Sequence, residues 1–475
     1  MCMGIHSCDR KEKKMENNIS MDKLVAFSKT VGFVYPGSDI YDGLANTWDY
    51  GPLGVELKNN IKKAWWKRFV QENDNSYGVD AAILMNPRVW EASGHVQSFS
   101  DPKMDCKECK CRERADNVIE AYCAKHGIEG IVPDKMTNEE MDAFVSEHKI
   151  ACPRCGKHNW SPIRQFNLMF ETSRGVTEGG QNKIYLRPET AQGEFVNFLN
   201  VQRTTRAKVP FGIAQIGKAF RNEITPGNFI FRTIEFEQME HQLFCKDENA
   251  IDFYNSYKEK AMKFLLDLGF NPEKLRFKDH DKLAHYAKAA CDIQFFSSLG
   301  WQELNGIHHR STWDLSRHQE YSGKNMMYTD PVTNEKYTPT VIEYSIGCDR
   351  LLLATLLQSY REEQVGENDT RIVMGFHPVL APYKVAILPL QKNLSEKANE
   401  VYRKLSKSFM CTYDEAGSIG KRYRRQDQIG TPLCVTIDFD TLEDDTVTIR
   451  DRDTMEQIRV KIDELENIIS EKVKF

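Results

Sequence analysis

The chain has 475 residues, a formal net charge of −5 and 40% hydrophobic residues. This composition is typical of a globular protein of about three domains, and it excludes a disordered tail, a collagen and a coiled-coil rod. The longest nearly pure apolar run, Leu351–Leu357, is far shorter than the ~20 residues that span a membrane. We therefore expect a soluble protein without a membrane-spanning segment.

The N-terminal residues 1–20 are polar and charged, and no hydrophobic signal segment follows the first methionine. We expect them to form a disordered extension. The chain contains 13 cysteines, which is an odd number. These features favour a cytoplasmic protein with reduced thiols, in which clustered cysteines are metal ligands rather than disulfides.

Residues 21–100 are rich in aromatic and aliphatic side chains and predict the first part of a large domain. Apolar residues recur at helical spacings in Val55–Gln71, just after Pro52–Gly54, so we predict an amphipathic helix there. The run Val79–Pro87 predicts a buried strand that ends at the proline. The apolar residues of the predicted helix are Val55, Leu57, Ile61, Trp65, Trp66 and Phe69.

Residues 101–160 are charged and cysteine-dense, and they predict an insertion. The insertion contains two Cys-x-x-Cys pairs, Cys106/Cys109 and Cys152/Cys155. Four thiolates in two such pairs suit a closed tetrahedral zinc site, which we interpret as structural. Reduced spectator cysteines and an iron–sulfur cluster are the alternatives. Cys111 and His158 lie close enough in sequence to serve as substitute ligands.

Residues 161–375 return to long strands and helices. The segment Gly212–Glu240 predicts two antiparallel strands joined by an extended loop that contains Pro226–Gly227. Because side chains alternate along a strand, one face gathers groups that suit phosphate oxygens and a purine ring. This face contains Gln215, Arg221, Glu223, Arg232, Phe236, Gln238 and Glu240. A solvated sheet face with weak ion pairs is the alternative.

The segment Tyr337–Leu357 predicts a strand, a turn at Gly347 and a helix. Glu343, Ser345 and Gly347 share one strand face, and Arg350 lies in the first helical turn, where free N–H groups favour anions. The alternative is an ordinary strand–helix corner. An earlier helix, from about residue 248 to residue 268, is expected to end at Gly269.

Residues 376–475 alternate short strands with helices and predict a separate C-terminal α/β domain. Its basic run Lys421–Arg425 is a candidate for phosphate contact, with Tyr423 available to stack on a base. By itself, such a run is more often a solvated helix face.

Several strings in the chain together resemble motifs 2 and 3 of class II aminoacyl-tRNA synthetases. The closest resemblance is to the homodimeric, class IIa type of glycyl-tRNA synthetases, and it extends from about Met21 to the C-terminus. It implies an α+β fold in which an antiparallel sheet is flanked by helices, followed by a C-terminal α/β anticodon-binding domain. The strings that carry it are LRPETAQG (Leu186–Gly193), FRNE (Phe220–Glu223), EFEQME (Glu235–Glu240) and the spacing of Glu343, Ser345, Gly347 and Arg350.

The resemblance implies a ligase that activates glycine with ATP and transfers it to the 3′ end of tRNA(Gly). Arg221 and Arg350 would be the catalytic residues, and Glu303 would bind magnesium together with ATP. No general base is needed, because the glycine carboxylate itself attacks the α-phosphorus. The implied ATP-binding residues are Arg221, Asn222, Glu223, Phe231, Arg232, Thr233, Phe236, Glu303, Leu304, Gly347, Asp349 and Arg350.

The implied glycine pocket is rich in carboxylates, which suits the ammonium group of the substrate. No standard amino acid is smaller than glycine, so a tight pocket rejects all others by steric clash, and we predict no editing domain. Tyr344 stands where the family commonly has proline, and by alternation it is expected to face away from the pocket. The pocket residues are Arg114, Glu189, Phe236, Gln238, Glu240, Glu343, Ser345 and Gly347.

The resemblance also implies a homodimer, with Trp65, Trp66 and the strand to Pro87 in the interface region; ordinary core packing explains these residues equally well. One rival function is a ligase for another small amino acid, such as proline, serine or threonine. A second rival is a nucleic-acid-binding adapter without catalysis, which would not require Arg221, Glu223 or Arg350. The expected division of the chain is 1–20, 21–100, 101–160, 161–375 and 376–475.

Overall fold

The computed structural model describes residues 19–175, 183–224, 227–281, 283–284 and 286–475. The predicted N-terminal extension therefore lies outside the described residues, apart from Ile19 and Ser20. Ser20 caps the first helix, because its hydroxyl accepts a hydrogen bond from the amide of Lys23 at 3.3 Å. It contains α1 (Met21–Val31), β1 (Val34–Pro36), β2 (Trp48–Tyr50), α2 (Pro52–Trp66), a π-helical turn (Lys67–Gln71) and β3 (Ser76–Gly78).

Two predictions for this segment need correction. The helix begins at Pro52 rather than Val55, because proline is well accommodated in the first turn of a helix, and Val55 itself is 42% exposed. The strand predicted over 79–87 is wrong. The sheet pairing ends at Gly78, and Pro87 opens a helix that Asn86 caps. The run is half-buried or exposed rather than buried, and an apolar run of this length does not by itself establish a buried strand.

The segment from Pro87 to Asn167 has a small core of its own, which includes Met104, Ile119 and Val145. Its three strands form one sheet in the order β5-β4-β6. The elements are α3 (Pro87–Ala92), α4 (His95–Ser98), β4 (Ser100–Asp105), β5 (Arg112–Arg114), α5 (Ala115–His126), α6 (Asn138–Glu147) and β6 (Arg164–Asn167).

The next segment provides most of the main sheet. Its first half contains β7 (Glu171–Ser173), β8 (Lys183–Tyr185), α7 (Ala191–Val196), α8 (Phe198–Thr205), β9 (Phe211–Phe220), β10 (Glu235–Cys245) and α9 (Ala250–Asp267). Its second half contains β11 (Leu275–Asp279), β12 (Ala289–Ser297), β13 (Gly300–Ser311), α10 (Trp313–Ser322), β14 (Tyr328–Thr329), β15 (Lys336–Tyr337), β16 (Thr340–Gly347), α11 (Cys348–Ser359), β17 (Tyr360–Gly366) and β18 (Asp369–Met374).

The main sheet has seven strands in the order β11-β12-β13-β16-β10-β9-β3. All neighbours are antiparallel except β3 and β9, which are parallel. One face of the sheet packs on α2, α9 and α11 to form the largest apolar core. Tyr344 lies in this core, stacked on Phe69 with ring centroids 4.3 Å apart, so the prediction that it faces away from the pocket is confirmed. The opposite face packs against α7, α8 and α10 over part of its area and is open over the rest.

The predicted helix near residues 248–268 is confirmed, with a 3₁₀ turn at Asp247–Asn249 before α9. Gly269 follows it with a φ of 84°, a left-handed conformation that glycine adopts without steric cost. The predicted antiparallel pairing of β9 with β10 and the strand–helix corner at Gly347 are also confirmed.

The C-terminal segment forms a five-stranded mixed sheet with a separate apolar core. Its basic run lies only partly on the surface, because Lys421 and Arg425 are exposed whereas Arg422 is not. Arg422 is buried and donates to the carbonyl of Leu390, and the hydroxyls of Tyr423 and Thr436 are hydrogen-bonded. The guanidinium carbon of Arg450 lies 4.8 Å from the centroid of the Tyr423 ring, so this ring already has a cationic partner. The elements are β19 (Val385–Pro389), α12 (Ser395–Leu405), β20 (Cys411–Tyr413), α13 (Ile419–Ile429), β21 (Leu433–Ile437), α14 (Thr441–Asp444), β22 (Thr446–Asp451), β23 (Gln457–Lys461) and α15 (Leu465–Lys472).

Among the residues described, none of the helices combines the length and the apolar character that a membrane span requires.

Candidate active site

A cleft with a cavity volume of about 210 Å³ lies on the open face of the main sheet. It collects residues from three neighbouring strands, β10, β16 and β13, from the segment between β9 and β10, and from the start of α11. Sixteen of the residues predicted for ATP or glycine line it: Glu189, Arg221, Glu223, Phe231, Arg232, Thr233, Phe236, Gln238, Glu240, Glu303, Leu304, Glu343, Ser345, Gly347, Asp349 and Arg350.

The strand register explains why these side chains meet. In the β9–β10 pair, Glu240 lies opposite Gln215 and Phe236 lies opposite Ala219. In the β10–β16 pair, Glu240 also lies opposite Ser345. Alternate residues of three adjacent strands therefore point into one cleft, as the period of two along a strand requires.

Arg221 lies at the mouth of this cleft. Its Nε donates to the carbonyl oxygen of Pro188 at 3.0 Å, and its guanidinium carbon lies 5.3 Å from the ring centroid of Phe99 and 5.4 Å from that of Phe236. Two aromatic rings and a carbonyl thus hold the guanidinium in place. The guanidinium N–H groups not used by Pro188 can bind an anion in the cleft.

Arg350 lies on the opposite wall, in the first turn of α11. Its guanidinium carbon is 4.6 Å from the ring centroid of Phe231, and its Nη1 is 3.0 Å from Oε1 of Glu303. The positive charge of Arg350 lowers the pKa of Glu303, so this carboxylate is ionised at neutral pH. The two walls together present two arginines, one carboxylate and two rings to a ligand.

Asp349, next to Arg350, holds the start of α11 in place through hydrogen bonds to residues of α2, β2 and β10. Its carboxylate accepts from Nζ of Lys58 at 2.7 Å and from the backbone amide of Glu237 at 2.6 Å, and also from the hydroxyl of Tyr50. Lys58 and Asp349 are both buried; burial lowers the pKa of Lys58, but the charges of Asp349 and Glu237 and the hydrogen bond to Asp349 together raise it above its usual value. This network joins α2 and β10 to the helix that carries Arg350.

At the deep end of the cleft, Glu343 has three hydrogen-bond donors. Nη1 of Arg310 lies 2.9 Å from Oε2, Nε2 of Gln242 lies 2.9 Å from the same oxygen, and Nδ1 of His308 lies 2.7 Å from Oε1. Burial opposes ionisation of Glu343, but Arg310 and His308 outweigh it and lower its pKa to about 2. Glu343 is therefore a fixed anion.

Two further carboxyl groups complete this end of the cleft. Glu189 accepts from Gln192 at 2.9 Å, and its pKa is lowered, because the charge of His95 and its hydrogen bond outweigh burial. Glu240 accepts from Oγ1 of Thr190 at 2.6 Å. Burial, reinforced by the charges of Glu343 and Glu189, raises the pKa of Glu240 to about 8. These three carboxyl groups are thus two anions and one neutral acid at pH 7.

Two of the predicted residues are not in the cleft lining. The backbone amide of Asn222 donates to Leu168, and this residue lies at the end of β9. Arg114 lies on β5, where its Nη1 is 2.9 Å from Oδ2 of Asp101 and its Nε donates to Asp116. Glu223 and Arg232 interact electrostatically with this Arg114–Asp101 pair, so Arg114 is close to the cleft but is held by acidic partners.

The sequence predictions missed Asn305, His308 and Arg310, all on β13, and Tyr286, which also lines the cleft. Arg310 is 3% exposed, and it donates to Asp314 through Nε at 2.8 Å and Nη2 at 3.0 Å as well as to Glu343. Alternation along the strand could have identified it: His308 and Arg310 are two residues apart and therefore share one strand face, whereas Ile307 and His309 lie on the other face.

The cysteines of the insertion meet in a second cluster. Sγ of Cys106 lies 3.6 Å from Sγ of Cys155, and Sγ of Cys109 lies 3.7 Å from Sγ of Cys152. Cys111, named above as a substitute, lies 3.3 Å from Cys152. Five thiols are therefore together, and the sulfurs of Cys106, Cys109, Cys111 and Cys152 all lie within 4.8 Å of one another. His158 lines a separate surface depression and is not in this group.

The fold and the cleft define the class of protein. Residues 170–359 match the family model "tRNA synthetase class II core domain (G, H, P, S and T)", and residues 384–472 match the model "Anticodon binding domain". The chain is a class II aminoacyl-tRNA synthetase, and the predicted fold class, an α+β core with an anticodon-binding domain, is confirmed.

Comparison with curated proteins gives the family more narrowly. The chain is 60% identical over 458 residues to a glycine–tRNA ligase of Clostridium kluyveri, covering 96% of this chain and 99% of that protein. It is 59% identical over 462 residues to the ligase of Clostridium acetobutylicum, covering 97% and 100%, and 58% identical over 463 residues to that of Caldanaerobacter subterraneus subsp. tengcongensis, covering 97% and 100%. The chain belongs to the glycine–tRNA ligase family.

Proposed function

We propose that this protein joins glycine to tRNA(Gly) in two steps within the cleft. The glycine carboxylate attacks the α-phosphorus of ATP, pyrophosphate leaves, and glycyl-adenylate forms. The 3′-terminal hydroxyl of the tRNA then attacks the carbonyl carbon of the adenylate and AMP leaves. The observation that carries the proposal is the convergence of Glu189, Glu240 and Glu343 with Arg221 in one small cleft.

The carboxylate-rich end of the cleft suits the ammonium group of glycine. Glu343 and Glu189 have lowered pKa values and are anionic, so they attract a cation even while Glu240 is neutral. Three donors on Glu343 prevent it from turning away. Glycine has no side chain, so it can be recognised only by its ammonium group and its small size. A narrow anionic pocket binds the ammonium group and excludes larger amino acids.

The arginine-rich end suits a nucleotide. Arg221 lies over Phe236, and we assign it to the α-phosphate and the glycine carboxylate, where negative charge grows during attack. We assign the ring of Phe236 to one side of the purine and Arg350 to the other side. Glu223 is assigned to the exocyclic amine, and Arg232, with Arg350, to the γ-phosphate. The reaction then requires only positioning and charge stabilisation.

Magnesium fits the same end of the cleft. The Glu303 side chain is 51% exposed to the cleft and ionised, and carboxylate oxygens are the ligands that magnesium accepts alongside phosphate oxygens. When bound, the ion would neutralise phosphate charge. Glu303 would hold it, and Arg350 would move from Glu303 to the phosphates.

We also propose that the cysteine cluster holds a structural zinc ion. The thiols lie 3.3–3.7 Å apart in the contacts between the two halves of the insertion, which is the separation expected of ligands that surround one tetrahedral ion. Four of these thiolates would fill the tetrahedral coordination of the ion, so no coordination position would remain for a substrate or water.

The arrangement of the whole chain supports a tRNA-binding protein that works as a homodimer. We divide it into an extension (1–20), a core in two parts (21–100 and 161–375), the insertion (101–160) and the anticodon-binding domain (376–475). Trp65 is fully buried and packs on Phe69 within the core, so it does not contribute to a dimer surface. Trp66 is partly exposed beside Lys62 and Lys67 and is the better candidate for the interface.

Amino-acid-dependent exchange of pyrophosphate into ATP, measured without tRNA, tests the function. We expect exchange with glycine and none with alanine, serine, proline or threonine. Exchange with a different amino acid would overturn the assignment of the pocket. Absence of exchange in folded protein with magnesium would overturn the adenylate chemistry and favour an adapter.

A further inference from the structure

A second group of metal-binding side chains lies beside the cleft, outside the cysteine cluster. His280, Asp292 and His308 each offer one ligand atom, and the three atoms lie within 4.8 Å of one another. Nε2 of His280 is 2.9 Å from Oδ1 of Asp292. No role in the reaction proposed above requires His280 or Asp292.

The strand register holds the three residues on one face of the sheet. His280 directly follows β11, and its backbone amide donates to the carbonyl of Ala290 at 3.0 Å, next to Asp292 on β12. Asp292 lies opposite Gly306, two residues before His308 on β13. Two of the ligands therefore come from adjacent strands, and the third comes from the residue directly after a neighbouring strand, where a backbone hydrogen bond to β12 holds it.

His308 presents its second ring nitrogen toward this position. Nδ1 donates to Oε1 of Glu343, so the neutral ring has its lone pair on Nε2. The ring lies over Gly306, where an added Cβ would be 3.3 Å from Nε2 and 2.7 Å from Cε1. A larger residue at 306 would push the imidazole away from Asp292. A carboxylate that orients a histidine in this way is the usual outer partner of a metal-bound imidazole.

The neighbouring histidine does not belong to this group. His309 points to the other face of the strand, where it is 5% exposed and its Nδ1 accepts from the amide of Ser311 at 3.2 Å. His280, Asp292 and His308 are instead partly accessible, with side-chain exposures of 33%, 14% and 17%. An ion from solvent can reach them.

We propose that His280, Asp292 and His308 form a site for a divalent transition-metal ion of the zinc class. Two imidazoles and one carboxylate favour such ions over magnesium or calcium, which prefer oxygen ligands alone. Three protein ligands leave one coordination position for water. Through His308, the ion is joined to Glu343 and so to the ammonium end of the cleft. The site is distinct from the magnesium position at Glu303 and does not depend on the proposed reaction.

Cobalt(II) absorption tests the proposal on the whole chain. Protein whose cysteine cluster has first been filled with zinc is titrated with Co²⁺, because a thiolate site gives a near-ultraviolet charge-transfer band whereas a histidine and carboxylate site gives only visible bands. We expect one equivalent of Co²⁺ with visible bands alone. Failure of the wild-type protein to bind this equivalent would overturn the proposal without any variant.

The variants His280→Ala and Asp292→Asn should each weaken Co²⁺ binding by about tenfold or more. His126→Ala is the matched control, because His126 is an exposed histidine of α5 whose contacts are with Tyr122, through ring stacking and a hydrogen bond to its carbonyl, and not with the proposed site. Circular dichroism of each variant establishes that it is folded. Co²⁺ binding that is unchanged in folded His280→Ala and Asp292→Asn proteins would assign the equivalent to another site and overturn the proposal.

Discussion

Arg310 holds Glu343 at the deep end of the cleft, with Nη1 2.9 Å from Oε2, while two other nitrogens of the same guanidinium bind Asp314. All three side chains are almost completely buried. A buried cation between two buried carboxylates is stable only as a complete set, because removal of the cation leaves two unpaired negative charges.

Arg310→Ala should therefore lower the free energy of unfolding by about 3–5 kcal/mol. It should also raise the KM for glycine, because Glu343 loses the donor that fixes its position. Urea unfolding and pyrophosphate exchange measure the two effects. Lys263→Ala, which breaks a surface pair with Asp267, should change neither measurably. Equal stability of the two variants would contradict the role of Arg310.

The raised pKa of Glu240 predicts a pH dependence. Below its pKa of about 8 the carboxyl group is neutral, and above it the group is an anion that attracts the glycine ammonium. The KM for glycine, measured by exchange at saturating ATP, should fall as pH rises from about 6.5 to about 8.5. Glu240→Gln cannot ionise, so its KM should not show this fall. A parallel fall in both proteins would point to another group.

Glu303→Gln should raise several-fold the magnesium concentration that gives half-maximal exchange, because the amide is a poorer ligand for a hard cation. Glu335→Gln is the control: Glu335 pairs with Lys246 on the surface and is not in the cleft lining. If the magnesium dependence of Glu303→Gln equals that of the wild type, Glu303 is not the magnesium ligand.

Cys152→Ser should lower the zinc content of the purified protein, because Cys152 is close to both Cys109 and Cys111. Cys123→Ser is a matched control, since Cys123 is also buried in the insertion but packs in its apolar core, away from the thiol cluster. Metal analysis after purification without chelator measures the difference. A folded Cys152→Ser protein with full zinc content would contradict the assignment.

Two helical glycines predict opposite results on substitution by alanine. A Cβ at Gly54 would lie 1.9 Å from the backbone oxygen of Phe33, so Gly54→Ala should destabilise the protein by about 3 kcal/mol or more. A Cβ at Gly420 meets nothing within 4 Å, so Gly420→Ala should stabilise it by about 0.5–1 kcal/mol. Thermal unfolding distinguishes the two, and a stable Gly54→Ala protein would show that α2 can shift away from Phe33.

The sequence predicted most of the cleft because its residues lie on strands, where alternation fixes which side chains share a face. Phe236, Gln238 and Glu240 were assigned in this way, and all three line the cleft. Glu189 and Glu303 were predicted only from the resemblance to a known family. They lie outside the strands that carry the residues predicted by alternation, so alternation along those strands could not assign them. The strand predicted over 79–87 failed because an apolar run establishes neither burial nor backbone pairing, and Leu84 within it is 53% exposed.

Other errors arise from partners that are distant in sequence. Arg422 belongs to a basic run, but it is buried by carbonyl groups at the end of β19, and no local pattern reveals this contact. The assignment of Arg114 to the glycine pocket stays a prediction; in the structure its guanidinium pairs with Asp101 and Asp116. A charge in a sequence has no assigned partner, and the fold decides whether it binds a ligand or another side chain.

The contacts of Asp349 also determine when the nucleotide site can form during synthesis of the chain. Its partners Tyr50 and Lys58 precede it by 299 and 291 residues. These hydrogen bonds can therefore form only after most of the core has been synthesised. Until then the start of α11, and with it Arg350, has no fixed position. A ribosome-bound chain that stops short of residue 349 therefore has its early helices but no nucleotide site, and such long-range closure predicts slow maturation of activity.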